Sequence, residues 1–242
     1  MAETLLHATN IVAGYVKDLP ILKQVSIEVK EASLTLIIGP NGAGKSTFIK
    51  AIAGVVPVTS GKITLSGHDI TGIRPDQMSQ HSIAYIPQSD NIFRTLTIRQ
   101  NLELVLRKDR AAPDRIDTLF MRFPILKTKQ AEKAGTLSGG QRQMLAVSMA
   151  LAAKPMLILM DEPSAGLSPK AAQEVLQLAR DLTTEGVTIL LVEQNVNQAM
   201  RLSDHCYILA EGRNQHDADA AVLLNDPIVG EIYLGGKRVL AK

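Results

Sequence analysis

Cysteine is nearly absent: Cys206 is the only one in 242 residues, so no internal disulfide is available and a reducing compartment fits. That thiol lies inside the apolar run CYILA, where core packing is the ordinary role of a lone cysteine. No apolar run approaches the roughly 18 residues of a membrane span. The start, MAETLLHATN, has neither the basic opening nor the apolar core of a secretion signal, so a soluble or peripheral protein is expected. Charge of one sign is also scarce. The formal net charge is +2, no dense basic tract occurs, and the mildly basic ending GGKRVLAK reads as a solvated tail. Nucleic acid is therefore not an expected partner. Internal repeats and low-complexity segments are lacking too. What remains, 45% hydrophobic and 21% charged residues, is the composition of an ordinary globular domain with a core large enough to need no cross-links.

Two kinds of apolar pattern are present. Val25–Val29 (VSIEV) and Lys62–Gly67 (KITLSG) alternate, as half-exposed antiparallel strands do. Leu34–Gly39 (LTLIIG), Met156–Asp161 (MLILMD), Thr188–Val192 (TILLV) and Cys206–Ala210 (CYILA) are continuous, which predicts strands covered on both faces. Helical text follows the first three of these, over Lys45–Ala53, Lys170–Thr183 and Val196–Leu202. Strand followed by helix, repeated, predicts an α/β fold with a mostly parallel sheet whose ligands collect at the carboxyl ends of the strands. From about Thr97 to Ala153 the text is helical only: TIRQNLELVLRK, PDRIDTLFMRF and GQRQMLAVSMALAA. The expected organisation is one domain over 1–242, with residues 1–88 and 156–242 forming the sheet core and 89–155 an inserted helical subdomain.

Polar groups close the continuous runs. Gly39-Pro40-Asn41-Gly42-Ala43-Gly44-Lys45-Ser46-Thr47 fits G-x-x-x-x-G-K-[ST] between a strand and a helix, the context that a phosphate loop requires. Glycines at 39, 42 and 44 let successive backbone N–H groups point inward at an anion, and the helix that follows adds its positive end. Lys45 is expected to reach the β- and γ-phosphates and Ser46 to ligand Mg²⁺. Asp161, at the end of a strand, is expected to hold that Mg²⁺ through its shell. Glu162 is a candidate general base for an attacking water; read alone, it could equally cap a turn or pair with a lysine. The run LLVEQN likewise ends on Glu193, Gln194 and Asn195. Leu137-Ser138-Gly139-Gly140-Gln141 precedes a helix. By itself it reads as a serine N-cap with a flexible lead-in; beside the phosphate loop it reads as a second anion cradle. One nucleotide does not need two cradles from one chain, but a sandwich of two subunits does, each cradle covering the γ-phosphate held by its partner.

In its motifs and their order the sequence resembles the ATP-binding-cassette ATPases, a P-loop NTPase family, over nearly its whole length. After the phosphate loop come Gln88 in IAYIPQ, LSGGQ, LILMDEP, SAGLSP (Ser164–Pro169) and Gln194. The resemblance implies ATP with Mg²⁺ as cofactors and ATP hydrolysis as the activity. It implies that Gln88 links the Mg²⁺ site to a loop touching membrane subunits, that Ser164–Leu167 lies at the dimer seam, and that Tyr15, in AGYVKDLPIL, stacks on adenine. Without it Tyr15 would be a surface aromatic at a strand end. Most of the family carries histidine where Gln194 stands. Glutamine can donate a hydrogen bond to a phosphoryl oxygen but cannot become a cation near neutral pH, so Gln194 is expected to sense the γ-phosphate while Glu162 supplies the base.

VEQN, NIFRTLTIRQNLEL (Asn91–Leu104), AGTLSGGQRQML and the ending IYLGG look most like the LivF-type subunit of branched-chain amino-acid importers. That likeness implies a second ATPase subunit, related or identical, two hydrophobic permease subunits and an external solute-binding protein. It also implies a peripheral place on the cytoplasmic face of the inner membrane. Urea-type, amide-type and lipopolysaccharide-export ATPases read similarly. The rivals of another class are a soluble assembly ATPase and a scaffold that only binds ATP.

Overall fold

A computed structural model of the chain describes residues 3–16, 18–226 and 229. Strands β1 (Thr4–Ala13) and β2 (Leu22–Lys30) pair antiparallel and lead into β3 (Leu34–Ile38), α1 (Lys45–Ile52), β4 (Val58–Leu65), the short β5 (His68–Asp69) and β6 (Ile83–Ile86). Four helices come next: α2 (Ile98–Val105), α3 (Ala112–Arg122), α4 (Pro124–Thr128) and α5 (Gly139–Ala152). The chain then alternates through β7 (Leu157–Asp161), α6 (Pro169–Thr184), β8 (Thr188–Val192), α7 (Val196–Leu202), β9 (His205–Ala210), β10 (Arg213–Asp219) and α8 (Ala220–Leu224). Two sheets result, one ordered β2-β1-β4-β5 and antiparallel throughout, the other ordered β10-β9-β3-β8-β7-β6. The second is parallel except where β10 pairs with β9.

The continuous apolar runs became the middle of the parallel sheet, and β3, β7 and β8 are buried at every position. Successive side chains of a strand still point to opposite faces, so each run feeds two cores. Leu34, Leu36, Ile38, Ile158, Met160 and Leu191 pack with helical residues such as Ile98, Phe120 and Leu145. Ile37, Leu157, Leu159, Leu190 and Val192 pack instead with Leu6, Ile27 and Phe48 of β1, β2 and α1. Covering on both faces is why polar alternation is missing there. In β2 the alternation is present: Val25, Ile27 and Val29 are buried and Glu28 is exposed. KITLSG is shorter as a strand than expected, because Ser66 and Gly67 take positive φ and turn the chain into β5.

Strands β1, β5, β6 and β10 were not foreseen. β10 (RNQHDAD) lies at the sheet edge and is polar at most positions, and β6 is four residues long; neither carries a readable period. Between β6 and β7 the structure is helical, and among the described residues its single β pairing is the bridge Thr97–Lys133. Thr97 caps α2, accepting from the Gln100 N–H while the Gln100 side chain accepts from the Thr97 N–H, a reciprocal cap legible in TIRQ. Asn101, fully buried, ties the loop ahead of α2 to the helix through bonds to both backbone groups of Phe93 and to the Thr97 carbonyl. No described helix is long and apolar enough to cross a membrane. The endings IYLGG and GGKRVLAK lie outside the described residues.

Candidate phosphate-binding and hydrolytic site

The loop between β3 and α1 folds back on itself through Ala43 N–H to the Pro40 carbonyl, 3.1 Å. Gly39 has φ +152°, and a Cβ there would lie 2.0 Å from the Leu209 carbonyl oxygen, so no other residue fits. Gly44, at φ +97°, caps α1, while Gly42, at φ +81°, faces open space. Asn41 is exposed and Thr47 is buried beneath the helix start. Lys45 is 5% exposed and its Nζ donates to the carbonyls of Gly39 (2.9 Å) and Pro40 (3.1 Å). An ammonium has three donors and these partners are neutral. Burial lowers the Lys45 pKa, against the opposing charges of Glu162 and Asp161. A buried cation beside an open glycine turn is suited to an anion, and a nucleotide's phosphates fit it.

Ser46 Oγ donates to Asp161 Oδ1 at 2.7 Å. Asp161 ends β7, is 1% exposed, and its pKa is pushed up by burial, which outweighs the Ser46 hydroxyl and the Lys50 charge. No group of three or more His, Cys, Asp or Glu residues able to hold a metal occurs among the described residues. A cation at the Ser46–Asp161 pair would thus rely on these hard oxygens together with water and substrate phosphates, the donor set that suits Mg²⁺.

Glu162 follows directly, 6% exposed, with φ +48°, a left-handed conformation that a non-glycine residue adopts at a cost. Its N–H is held by the Val192 carbonyl at 2.9 Å, so the twist is imposed by the neighbouring strand. The carboxylate receives Gln88 Nε2 on Oε2 (2.7 Å) and Gln194 Nε2 on Oε1 and Oε2 (2.9 and 2.8 Å). Gln88, Glu162 and Gln194 come from the ends of β6, β7 and β8, adjacent strands of the sheet. The Gln88 bond to Glu162 uses its Nε2 and leaves the amide oxygen, the atom that could face a cation, outside that contact.

Ser138 caps α5: its Oγ accepts from the Gln141 N–H at 3.4 Å, and Gln141 Oε1 accepts from the Ser138 N–H at 3.2 Å. The serine-cap reading of LSGGQ therefore holds. Gly139 and Gly140 lie between this cap and the next loop. A Cβ on Gly139 would meet Leu167 at 2.6 Å and one on Gly140 would meet Ala171 at 3.1 Å, so the helix tip abuts the Ser164–Leu167 loop and α6. Tyr15 stands 58% exposed in the turn between β1 and β2, whose Ile21 and Leu22 line the Gly44 position.

Two further residues escaped the sequence reading. Gln143, 6% exposed, donates to the Pro163 carbonyl at 2.6 Å and accepts from Asn91 Nδ2 at 2.5 Å. It sits on the stripe Gly140, Gln143, Val147, Ala150 that α5 buries; a polar residue at a core spacing was the available signal. Glu193 is 1% exposed and gathers four donors, from Ser164, Gln194 and Asn195. Only its place after a buried run hinted at that.

The family model described as ABC transporter matches residues 22–165. A protein of Archaeoglobus fulgidus described as a probable branched-chain amino acid transport ATP-binding protein LivF is 42% identical, covering 96% of this chain and 99% of that protein. The lipopolysaccharide export system ATP-binding protein LptB of Haemophilus influenzae is 33% identical, covering 96% and 98%. Among solved structures, an ATP-binding cassette of an ABC transporter in its ADP conformation superposes with a TM-score of 0.84 at 29% identity, covering 97% of this chain and 100% of that one.

Proposed function

Because the chain belongs to the ABC transporter family, as an ATP-binding subunit with ATPase activity, we propose that it powers import of branched-chain amino acids across a membrane. The observation that carries the hydrolytic reading is the convergence of Gln88 and Gln194 on the buried Glu162 carboxylate, next to Lys45 and the Ser46–Asp161 pair. Similarity to the LivF protein over 96% of the chain supports this substrate class.

In this mechanism Tyr15 stacks on the adenine and the loop of residues 39–47 surrounds the phosphates, its N–H groups from Asn41 onward donating to them. Lys45 exchanges the Gly39 and Pro40 carbonyls for phosphate oxygens. A Mg²⁺ held by Ser46 and Asp161 would supply charge neutralisation at the phosphates. Gln194 turns one amide donor from Glu162 to the γ-phosphate, leaving a Glu162 oxygen to take a proton from the attacking water. The Ser138–Gln141 tip of a second ATPase subunit covers the γ-phosphate from the other side. Closure is then favoured only while that phosphate is present, and its loss lets the pair reopen. The cleft between the sheet core and the helical residues, about 250 Å³ and lined by Met78, Tyr85, Asn91, Val105 and Met149, offers a groove for a short helix of a permease. Asn91 on its wall donates to the Pro87 carbonyl at 3.5 Å, and Gln88, next in the chain, donates to Glu162.

The test is to recover the tagged chain with its native partners, reconstitute the assembly in vesicles, and follow ATP hydrolysis and uptake. The expected result is two partners rich in apolar spans of about 20 residues, and turnover that rises with leucine, isoleucine or valine and a solute-binding protein. Turnover indifferent to these, and raised by a lipopolysaccharide, would replace the importer with the export reading that the LptB likeness favours.

A further inference from the structure

We propose that Glu193 is a positioning residue for hydrolysis: its buried carboxylate couples the Ser164–Leu167 loop to the backbone of Gln194, so the loop's position sets how the Gln194 amide lies on Glu162. The inference rests on the reading of Glu162 as base and Gln194 as its amide partner.

Oε1 of Glu193 accepts from the Ser164 N–H at 2.9 Å and Oε2 from Ser164 Oγ at 2.8 Å. The same Oε2 accepts from the N–H of Gln194 at 3.1 Å and of Asn195 at 3.4 Å. One carboxylate therefore joins the β7–α6 loop to the residue whose side chain grips Glu162. Packing alone would be met by an apolar side chain, as at Val192. A carboxylate buried here is tolerable only while its oxygens are matched by donors. Burial pushes the Glu193 pKa up, while the Ser164, Asn195 and Gln194 donors hold it down in part, so loss of any donor weakens the charged form.

The coupling is stiff for a geometric reason. Hydrogen bonds weaken steeply as they bend, and Ser164 is bound at both its backbone and its hydroxyl. A shift of this loop must either break that pair of bonds or rotate the carboxylate. Rotation moves Oε2 relative to the Gln194 N–H and tilts the peptide from which the Gln194 side chain extends. Leu167, at the far end of the loop, touches the Gly139 position of the α5 tip. A partner subunit that presses on this tip or loop thereby re-aims an amide on the base.

The experiment compares Glu193→Gln, Ser164→Ala and the double variant of the full chain, assembled with its partner subunits. Glu193→Gln keeps the volume but puts an N–H₂ where an acceptor is needed. It is expected to lower kcat about tenfold while KM for ATP stays within about twofold, the split that marks an interaction used in the transition state. Ser164→Ala, which removes one donor, should show a smaller loss with the same split. The double variant should be no slower than Glu193→Gln alone, because coupled groups do not add. Wild-type kcat in Glu193→Gln, additive losses, or a kcat loss matched by a rise in KM and a fall in melting temperature would overturn the coupling. If Glu193→Gln does not fold, an unchanged kcat in Ser164→Ala overturns it as well. Glu162→Gln, run alongside, separates the two claims: retained turnover there removes the base reading, whereas an inactive Glu162→Gln beside a wild-type Glu193→Gln removes only the coupling.

Discussion

Glutamine at position 194 makes this site depend on hydrogen bonding where a histidine could have carried charge. Its Nε2 reaches both oxygens of Glu162, and Gln88 adds a third donor. Hydrogen bonds to a charged group are worth about 1.5–3 kcal/mol each, so these donors fix where the Glu162 carboxylate lies, and one of them must be drawn off before an oxygen is free to face a water. In the proposed mechanism the γ-phosphate competes for the amide. Gln194→Ala is accordingly expected to slow hydrolysis in the assembled complex roughly 10- to 100-fold, with ATP binding retained. A normal steady-state rate in that variant would remove Gln194 from the mechanism. Lys45 follows the same logic: its bonds go to the neutral Gly39 and Pro40 carbonyls, which phosphate oxygens replace in the proposed mechanism.

At the scale of elements, the tip of α5 has two uses that can be separated. Ser138 satisfies an N–H of the first helical turn, which stabilises any helix, and it is also the residue expected to face a partner's γ-phosphate. Ser138→Ala should cost about 1 kcal/mol as a lost cap, read as a melting temperature lower by roughly 2–4 °C. If the tip is also a cradle, turnover at 25 °C falls well beyond what that small loss of stability explains. A variant that melts earlier yet hydrolyses ATP normally would leave Ser138 a cap and nothing more. Elements matter to the base in the same way. β6, β7 and β8 are adjacent and parallel, so their carboxyl ends put Gln88, Glu162 and Gln194 side by side without any loop having to reach.

For the whole molecule the question is pairing. In the proposed mechanism residues 39–47 of one subunit hold the phosphates and the Ser138–Gln141 tip of another covers them, so the site is complete only in the pair. Glu162→Gln should bind ATP, lose turnover by roughly 10²–10⁴-fold, the usual worth of a general base, and remain paired with its partner ATPase subunit at saturating ATP and Mg²⁺. Sedimentation would show the mass of the pair. Separate subunits under those conditions would mean that the nucleotide does not join them, and the transport mechanism would lose its power stroke.

Much of this was legible along the chain. The glycine spacing at 39, 42 and 44, the continuous runs that became β3, β7, β8 and β9, and the helical periods of α1, α6 and α7 are local patterns, because burial on one face or two leaves its mark residue by residue. The strand-end positions of Asp161, Glu162 and Gln194 follow from those same runs. Pairing between distant positions leaves no such mark. Gln88 and Glu162 are 74 residues apart and Ser164 and Glu193 are 29 apart; their hydrogen bonds exist because the sheet order sets their strands side by side. The sequence by itself determined which segments form the buried middle of the parallel sheet and which residues stand at the carboxyl ends of those strands. Only the tertiary structure decided that Glu162 rests between two amides and that Glu193 lies buried under four donors, because those outcomes depend on where separate elements meet.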